Sequence, residues 1–407
     1  GLRYNSGSDE KMASAGATVA LGRQFALRVE GSKREANDYI APNYFHEHEG
    51  ELEKERRVGN TFAKGETVSV GGSWIGERGF AGIAYTNRQD QYGLPGHSHE
   101  YESCTVSGNL LIGCGEEDYG DEHETGPWVD LKSERYDFRT EILNPIAGFE
   151  KLRAHASYTD YQHDEIEGDS VATTFKSKGY DARLEMVHQP IADWEGVVGV
   201  QYNQQKLDIT GEESILEPTK TQKWSVFGLE HKQWNDFHFE LGARVDQQTI
   251  DIESDRKDYD DYAVSYSGAV NWMFAPNYKL SLVGSHQERL PLAQELYADG
   301  KHLATNTYER GNENLDVEKS NNLELGFHYD TDKIDYHVHV YHNWYDNYIY
   351  AQTADRYENF RLVDYTQDKA RFYGTEAEAS YAINDVYKMS VFGDYVRGKI
   401  DNENAPR

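Results

Sequence analysis

Long hydrophobic runs, cysteine, proline and positive charge are all scarce in this sequence of 407 residues. No stretch approaches the run of about 18 apolar residues that a membrane-spanning helix requires, so a helical membrane protein is excluded. Lys and Arg number 41 against 71 Asp and Glu, and the resulting net charge of −30 argues against a nucleic-acid-binding protein. Only 9 Pro are present and no Ser/Gly-rich linker interrupts the chain, so it does not divide into the two or three soluble domains that its length suggests.

Motifs of the common enzyme classes are also missing. There is no Gly-x-Ser-x-Gly, no phosphate-binding Gly-x-x-x-x-Gly-Lys and no His-Glu-x-x-His, so we expect neither an enzyme nor a catalytic cofactor. An outer-membrane protease or lipase, whose residues are scattered over strands, is a minor alternative. The chain opens at Gly1 without an initiator Met or a secretory signal, and we expect a mature segment or a fragment.

Aromatic residues and period-two patterning are abundant. With 30 Tyr, 15 Phe and 7 Trp, the composition is not that of an acidic disordered chain. In segments 237–245, 322–329 and 334–341, apolar residues alternate with polar ones, which predicts strands with one apolar face. The other face carries charge in mid-strand and must meet water, which the core of a soluble sandwich would not allow.

The connections between the predicted strands alternate in length. Tight turns are predicted near eight residues: Arg23, Glu77, Ile146, Ala192, Asn235, Asn277, Asp332 and Asp385. Long polar loops are predicted at about 31–59, 93–128, 160–173, 210–219, 253–260, 290–318 and 352–361. Short turns at one end and long loops at the other are typical of an outer-membrane barrel, whose strands look hydrophilic because only alternate residues face lipid.

We therefore predict an all-β fold, an antiparallel transmembrane β-barrel domain over residues 1–407 that sits in outer-membrane lipid of a Gram-negative bacterium. Eight hairpins give about 16 strands, and Leu2 to Ser6 supply part of a seventeenth. An odd count with two free edges cannot close as a bacterial barrel, so we expect strands to be missing at one or both ends. Aromatic residues near predicted strand ends, such as Trp234 and Tyr158, would form two interfacial belts. A soluble all-β protein is the alternative, but it does not explain the alternating connections.

Histidines gather beside carboxylates in the predicted loops. The candidate metal ligands are His97, His99, Glu100, Asp299 and His302, and more weakly His46, His48 and His123. Imidazole with carboxylate suits zinc, with copper or nickel as competitors, and His-x-His on extended backbone directs both rings to one side. A solvated acidic loop surface is the alternative for each cluster. His337 and His339 are predicted to face the lumen, as polar lining or as a relay.

The two cysteines, Cys104 and Cys114, lie ten residues apart in a polar stretch. They predict one small disulfide loop in an oxidising compartment, with two free thiols as the alternative. Such a bond would restrict the loop beside His99, an effect worth about 2–3 kcal/mol in the chain-entropy model. Its sulfurs would then not be zinc ligands.

Segment 288–326 carries four ordered motifs. They are Arg289-x-Pro291, Glu295-Leu296-Tyr297, Glu309-x-Gly311-Asn312-x-x-Leu315, and Glu318-x-Ser320-x-x-x-Glu324-Leu325-Gly326. Together they resemble a signature in the barrel of TonB-dependent outer-membrane receptors, and Tyr373-Gly374-x-Glu376 resembles the strand that follows it. The resemblance implies a barrel of about 22 strands, of which this chain resembles the first 16 to 17. It also implies an N-terminal plug coupled to the TonB–ExbB–ExbD complex; we expect the plug and the last strands to be absent from this chain.

A closer resemblance is to the zinc receptors of this family, the ZnuD-like transporters, through segments 90–101, 302–307, 347–353 and 393–398. It implies a zinc site shared between the plug, a loop Glu and a loop His, for which Glu100 and His302 match best and Asp299 is the alternative to His302. The loop after His99 is shorter and less rich in His than in some relatives. We therefore expect a receptor with zinc as its transported ligand. A receptor for a siderophore, haem or other metal chelate is one alternative, and a passive porin or surface adhesin is another.

Overall fold

The protein is almost entirely β-strand in a computed structural model, which describes residues 1–48, 51–95, 101–115 and 126–401. The strands are β1 (Leu2–Asn5), β2 (Glu10–Leu21), β3 (Phe25–Ala36), β4 (Ile40–His48), β5 (Glu51–Arg57), β6 (Ala63–Gly76), β7 (Gly79–Gly93), β8 (Thr105–Ser107), β9 (Leu110–Ile112), β10 (Trp128–Leu143), β11 (Phe149–Glu167), β12 (Ser170–His188), β13 (Glu195–Gly211), β14 (Thr219–Trp234), β15 (Phe237–Ile252), β16 (Tyr259–Ala275), β17 (Tyr278–Arg289), β18 (Asp299–His302), β19 (Thr307–Arg310), β20 (Glu318–Asp330), β21 (Ile334–Tyr357), β22 (Phe360–Ala382) and β23 (Lys388–Ile400). A short helix α1 (Ala293–Tyr297) and a 3₁₀ turn (Leu303–Thr305) lie between β17 and β20. No helix of the described residues is long and apolar enough to cross a membrane.

Seventeen of these strands pair antiparallel with their neighbours in chain order. The series runs through β1, β2, β3, β6, β7, β10 to β17, and β20 to β23. The predicted all-β antiparallel sheet of 16 to 17 strands is confirmed, and β1 is the short seventeenth. The hairpins β4–β5 and β8–β9 form separate small sheets, whereas the hairpin β18–β19 joins the large sheet because β19 runs parallel to β22.

All eight predicted tight turns lie between paired strands, at one end of the sheet. Asn235 and Asn277 adopt left-handed backbone angles, with φ of 50° and 70°. Asn tolerates this region better than most residues, which explains why an Asn marks each of these two turns.

The opposite end carries the long connections, and two of the predicted ones are wrong. Residues 160–173 and 352–361 are mostly strand, since β11 and β12 are separated only by 168–169 and β21 and β22 only by 358–359. The reason is that polar side chains can pair across strands above the membrane. Thr174, for example, donates a hydrogen bond of 2.7 Å to the Asp164 carboxylate across β11 and β12. The connection predicted at 31–59 also contains a hairpin, β4–β5.

The two faces of the sheet differ as the alternation predicted. Leu241 and Val245 of β15 are 52% and 47% exposed, as befits a face that meets lipid. On the other face of the same strand, Arg244 and Asp246 form an ion pair of 2.9 Å. We call this polar face the inner face, because the loops fold against its upper part.

Aromatic rings form rows across neighbouring strands, one of them near the middle of the long strands and one near the tight turns. Tyr85, Tyr136, Tyr158 and Tyr180 form a row over β7, β10, β11 and β12, with successive centroids 4.7–6.3 Å apart. Near the tight turns, Phe237 stacks on Trp272 at 5.6 Å. Such rows are what interfacial belts require.

The main apolar core lies at the loop end of the inner face. Ile250 of β15, on the same face as Arg244, is fully buried and packs with Leu296, Tyr297 and Leu315 from the connection between β17 and β20. Burial of these side chains holds that connection inward against the strands, because each contributes about 1.5–3 kcal/mol.

Candidate functional site

The connection between β17 and β20, residues 290–317, is held at its base by one arginine. Arg289 pairs with Glu318 at 3.2 Å and with Glu295 at 2.9 Å, so the two ends of the connection and helix α1 share one guanidinium. Glu318 is buried and also accepts a hydrogen bond of 2.8 Å from the Ile349 backbone. Gly311 lies against the Leu296 backbone, where any Cβ would clash. These motif residues therefore shape the loop.

The hairpin β18–β19 crosses this connection and presents two faces. Its strands pair Asp299 with Arg310 and His302 with Thr307, and Asn306 makes the turn with a φ of 52°. Because directly opposed residues share a face and neighbours alternate, Asp299 and His302 point to opposite sides. The structure does not bring these two candidate ligands together.

His302 lies on the buried face, beside Glu309. Its Nδ1 is 3.1 Å from Glu309 Oε1, while Glu309 Oε2 accepts hydrogen bonds from Gln294 at 2.7 Å and from the Tyr365 hydroxyl at 3.2 Å. Glu309 is 7% exposed. The imidazole is therefore held by a carboxylate that two further neighbours, Gln294 and Tyr365, fix in place, the arrangement seen around metal-ligating histidines.

The charges around His302 favour its protonated form. The hydrogen bond to Glu309 raises the His302 pKa, burial opposes it, and the carboxylates of Glu213 and Glu165 add to the increase. For Glu309, burial acts to raise the pKa, but the hydrogen bonds from His302 and Gln294 outweigh it and lower the value. Glu213 is itself buried and accepts a 2.6 Å hydrogen bond from the Leu303 backbone. A cation is therefore preferred at this position.

The disulfide loop covers the other face of the hairpin. Cys104 is bonded to Cys114, which confirms the predicted disulfide. Tyr101 stacks on the fully buried Phe360 of β22 with centroids 5.4 Å apart, and Lys301 donates to the Glu102 carbonyl. Asp299 is exposed and accepts a hydrogen bond of 3.0 Å from Tyr308. The disulfide loop, residues 101–115, thus packs against the hairpin that carries His302.

The other candidate ligands lie wholly or partly outside the residues that the structure describes. His97, His99, Glu100 and His123 lie outside the described residues, and His46 and His48 are placed only by the backbone of β4. Within the described part of the chain, no three His, Cys, Asp or Glu side chains are already grouped so that they could hold a metal ion. The pair His302 and Glu309 is therefore an incomplete site.

A family model described as TonB dependent receptor-like, beta-barrel, matches residues 56–406. The chain belongs to this family. Its members are outer-membrane barrels of Gram-negative bacteria, so the predicted location is confirmed, and they are receptors and transporters rather than enzymes.

Solved TonB-dependent receptor barrels share the fold. The chain matches a copper transporter, OprC, with a TM-score of 0.73 at 15% identity over 99% of this chain and 61% of that one. It matches the hemophore receptor HasR of Serratia marcescens, in complex with hemophore and heme, with a TM-score of 0.74 at 14% identity over 98% and 62%. For the siderophore receptor PirA of Pseudomonas aeruginosa the values are 0.68, 14%, 98% and 65%. The chain thus spans under two thirds of the length of these receptors.

As expected from their alternation, His337 and His339 lie on the inner face of this receptor barrel. His339 Nδ1 is 2.6 Å from Glu324 Oε1, and His337 Nε2 is 3.8 Å from Glu378 Oε2. Opposite His337 on β20 stands a third histidine, His328.

Sequence reasoning missed Glu309 and Glu213 as neighbours of His302. Glu309 was used only as part of the receptor signature, and Glu213 stood in a separate predicted loop. A usable signal was present for Glu309: the Asn306-Thr307 turn predicts a tight hairpin that returns Glu309 to the side of His302. No comparable local signal points to Glu213, because its approach depends on the packing of two distant loops.

Proposed function

We propose that this chain is the barrel part of a receptor that takes up zinc through the outer membrane. The observation that carries the proposal is the pair formed by the partly buried His302 and the buried Glu309 at the loop end of the inner face, beside the Glu213 carboxylate. Imidazole and carboxylate without thiolate suit zinc, and the local excess of carboxylate favours a divalent cation over a proton. Glu100 is the proposed second loop ligand. It directly precedes Tyr101, which is buried where the disulfide loop packs against the hairpin β18–β19.

In this proposal the acidic loops collect the ion and the His302–Glu309 pair receives it. A net charge of −30 on the chain creates an attractive field that raises the local concentration of divalent cations. Binding then requires His302 to lose its proton, since only neutral imidazole is a ligand. A plug domain would supply the remaining ligands and the coupling to the TonB–ExbB–ExbD complex.

The proposal is tested by replacing both loop ligands, Glu100→Ala with His302→Ala, in the full-length protein. Isothermal titration calorimetry at pH 7.5 should show zinc affinity reduced at least tenfold. Asp299→Asn is the matched control, because Asp299 stands on the opposite face of the same hairpin. Unchanged zinc affinity in the double variant, or an equal loss in Asp299→Asn, would overturn the site assignment.

A receptor for a metal chelate is the second candidate. It is favoured by the similar structures, which include a siderophore receptor and a hemophore receptor. Competition between free zinc and ferric chelates for the full-length protein separates the two. If copper displaces the bound zinc and a ferric chelate does not, the site assignment stands and only the transported metal changes.

A further inference from the structure

A second group of histidines lies on the inner face near the tight turn between β20 and β21, at the end of these strands opposite to the loop ligands. His328 belongs to β20, and His337 and His339 belong to β21. Their ring centroids are 5.8 Å apart for His328 and His337, 4.8 Å for His328 and His339, and 5.7 Å for His337 and His339. The three rings form a compact triangle.

The strand register produces this triangle. His328 is directly opposite His337, and His339 lies two residues further along the same face. The residue opposite His339 is Gly326, which has no side chain to displace the His339 ring. At Gly326 a Cβ would come within 3.0 Å of the His339 ring. The sequence thus places three imidazoles together, and the glycine at position 326 leaves room for the His339 ring and the Ser281 hydroxyl.

The spacing of the rings is that of ligands around a single metal ion. Three imidazoles bound to a tetrahedral zinc ion, with Zn–N bonds of about 2.0 Å, have ring centroids on the order of 5 Å apart. The observed separations are close to this value. In the present side-chain conformations the nitrogens do not yet converge, so binding requires rotation of the rings about their side-chain bonds.

Carboxylates stand behind two of the rings. Glu324 contacts Nδ1 of His339 at 2.6 Å, which leaves Nε2 as the ligating nitrogen, and Glu378 lies 3.8 Å from Nε2 of His337. Metal-binding histidines characteristically give their second nitrogen to such a partner. Glu376 is paired with His339 in the register, and Lys279 with His328. Three carboxylates against one ammonium leave the surroundings negative, as a cation site requires.

We propose that His328, His337 and His339 form a three-histidine binding site for a divalent transition-metal ion on the barrel wall at the turn end. Three histidines with an open fourth position are the ligand set that binds zinc in carbonic anhydrase. The proposed metal binding rests on the positions of the three rings and of the surrounding carboxylates. A role for this site as an intermediate binding site during transport rests on the proposed zinc uptake.

The site is tested by titrating Co²⁺ into the full-length protein and recording its visible absorption, which is intense for tetrahedral cobalt. The variant His328→Asn with His337→Asn and His339→Asn should bind one equivalent less and lose the corresponding band. His155→Asn is the matched control, since His155 is an inner-face histidine whose Nε2 contacts a single carboxylate, Asp181, at 3.0 Å. Circular dichroism verifies that each variant retains its β-sheet.

The two proposals fail separately. The loop variant with Glu100→Ala and His302→Ala should retain the Co²⁺ band of the wall site. Single replacements of the three histidines should each weaken Co²⁺ binding, as expected for shared ligands. An unchanged band and stoichiometry in the triple variant would overturn the wall site, whatever the loop variant shows, and so would an equal loss in His155→Asn.

Discussion

His302 and Glu309 form a charge pair within the hairpin β18–β19, and Tyr365 of β22 also donates a hydrogen bond to the Glu309 carboxylate. The His302 side chain is 29% exposed and that of Glu309 is 9% exposed. A buried carboxylate is costly unless it is paired and hydrogen-bonded, and Glu309 has four such partners, among them Thr307, whose hydroxyl lies 3.3 Å away. We therefore expect the protonation of His302 to control the stability of the hairpin β18–β19.

The sign of this control follows from the two pKa shifts. The raised His302 pKa means that its stabilisation is complete below the ordinary value near 6.5 and is lost as pH rises through the folded value. The lowered Glu309 pKa means that its stabilisation is present above about 4.3 and is lost as pH falls further. In metal-free buffer the amides of residues 307–310 should therefore exchange on the order of fivefold faster at pH 9 than at pH 6, after correction for intrinsic rates.

Hydrogen exchange followed by mass spectrometry provides this measurement. His302→Gln cannot titrate, so its corrected exchange should not change between the two pH values. His155→Asn, on the distant barrel wall, should behave as the wild type. A pH step that persists in His302→Gln would show that another group controls the hairpin.

At the scale of elements, the disulfide loop packs against this hairpin and restricts its movement. Tyr101, Cys104, Leu303 and Phe360 form a small core of their own, with Leu111, Cys114 and Tyr308 packed around it. Arg310 adds a hydrogen bond of 2.6 Å to the Gly108 carbonyl. The disulfide limits the freedom of the loop, but the aromatic contact determines where it docks.

Phe360→Ala should therefore release the disulfide loop while leaving the barrel folded. Removing a fully buried Phe side chain typically costs about 3–5 kcal/mol, which exceeds what a small loop core can supply. Limited proteolysis should cut within residues 101–115 at least tenfold faster than in the wild type. Phe360→Leu, which retains most of the apolar volume, should stay close to wild type. Equal resistance of both variants would show that the disulfide alone holds the loop.

The strands could be predicted from the sequence where one of their faces meets lipid. Leu323 and Leu325 alternate with Asn322 and Glu324, and this alternation located β20. Beyond the membrane the alternation carries no such signal. Asp164 and Thr174 pair across β11 and β12 although both are polar, so the sequence suggested a loop where the backbone continues as strand. The packing of the connections against Ile250 also lay beyond prediction, because it joins residues far apart in sequence.

At the scale of the whole molecule, the acidic residues are unevenly distributed along the sequence, and many of them lie in one long connection between strands. The connection between β7 and β10 carries Glu116, Glu117, Asp118, Asp121, Glu122 and Glu124 within nine residues. Arg and Lys on the inner face are largely neutralised locally, as in the pairs of Arg183 with Glu185 at 2.6 Å and Arg135 with Asp137 at 2.8 Å. We therefore expect the six carboxylates of this connection to act on ions in solution.

We expect long-range attraction of this kind to increase the rate at which zinc associates with the protein. Because the Debye length shrinks from about 30 Å at 0.01 M to about 3 Å at 1 M, the association rate should fall roughly tenfold or more over that range. The dissociation rate should change little, since it depends on direct ligands. Stopped-flow mixing of the full-length protein with zinc and a competing fluorescent chelator, in perchlorate salts that do not bind zinc, measures both rates.

Matched variants assign the effect to the loop end. Converting Glu116, Glu117, Asp118 and Asp121 to their amides should slow association at low salt and flatten its salt dependence. The same change of charge in the tight turns, by converting Glu77, Asp236, Asp332 and Asp385, should leave the rate unaltered, because those carboxylates lie at the end of the strands opposite to the proposed ligand His302. Equal effects from both sets would show that the total charge of −30 matters and its placement does not. A rate independent of salt in the wild type would remove electrostatic capture from the mechanism and leave only the direct ligands.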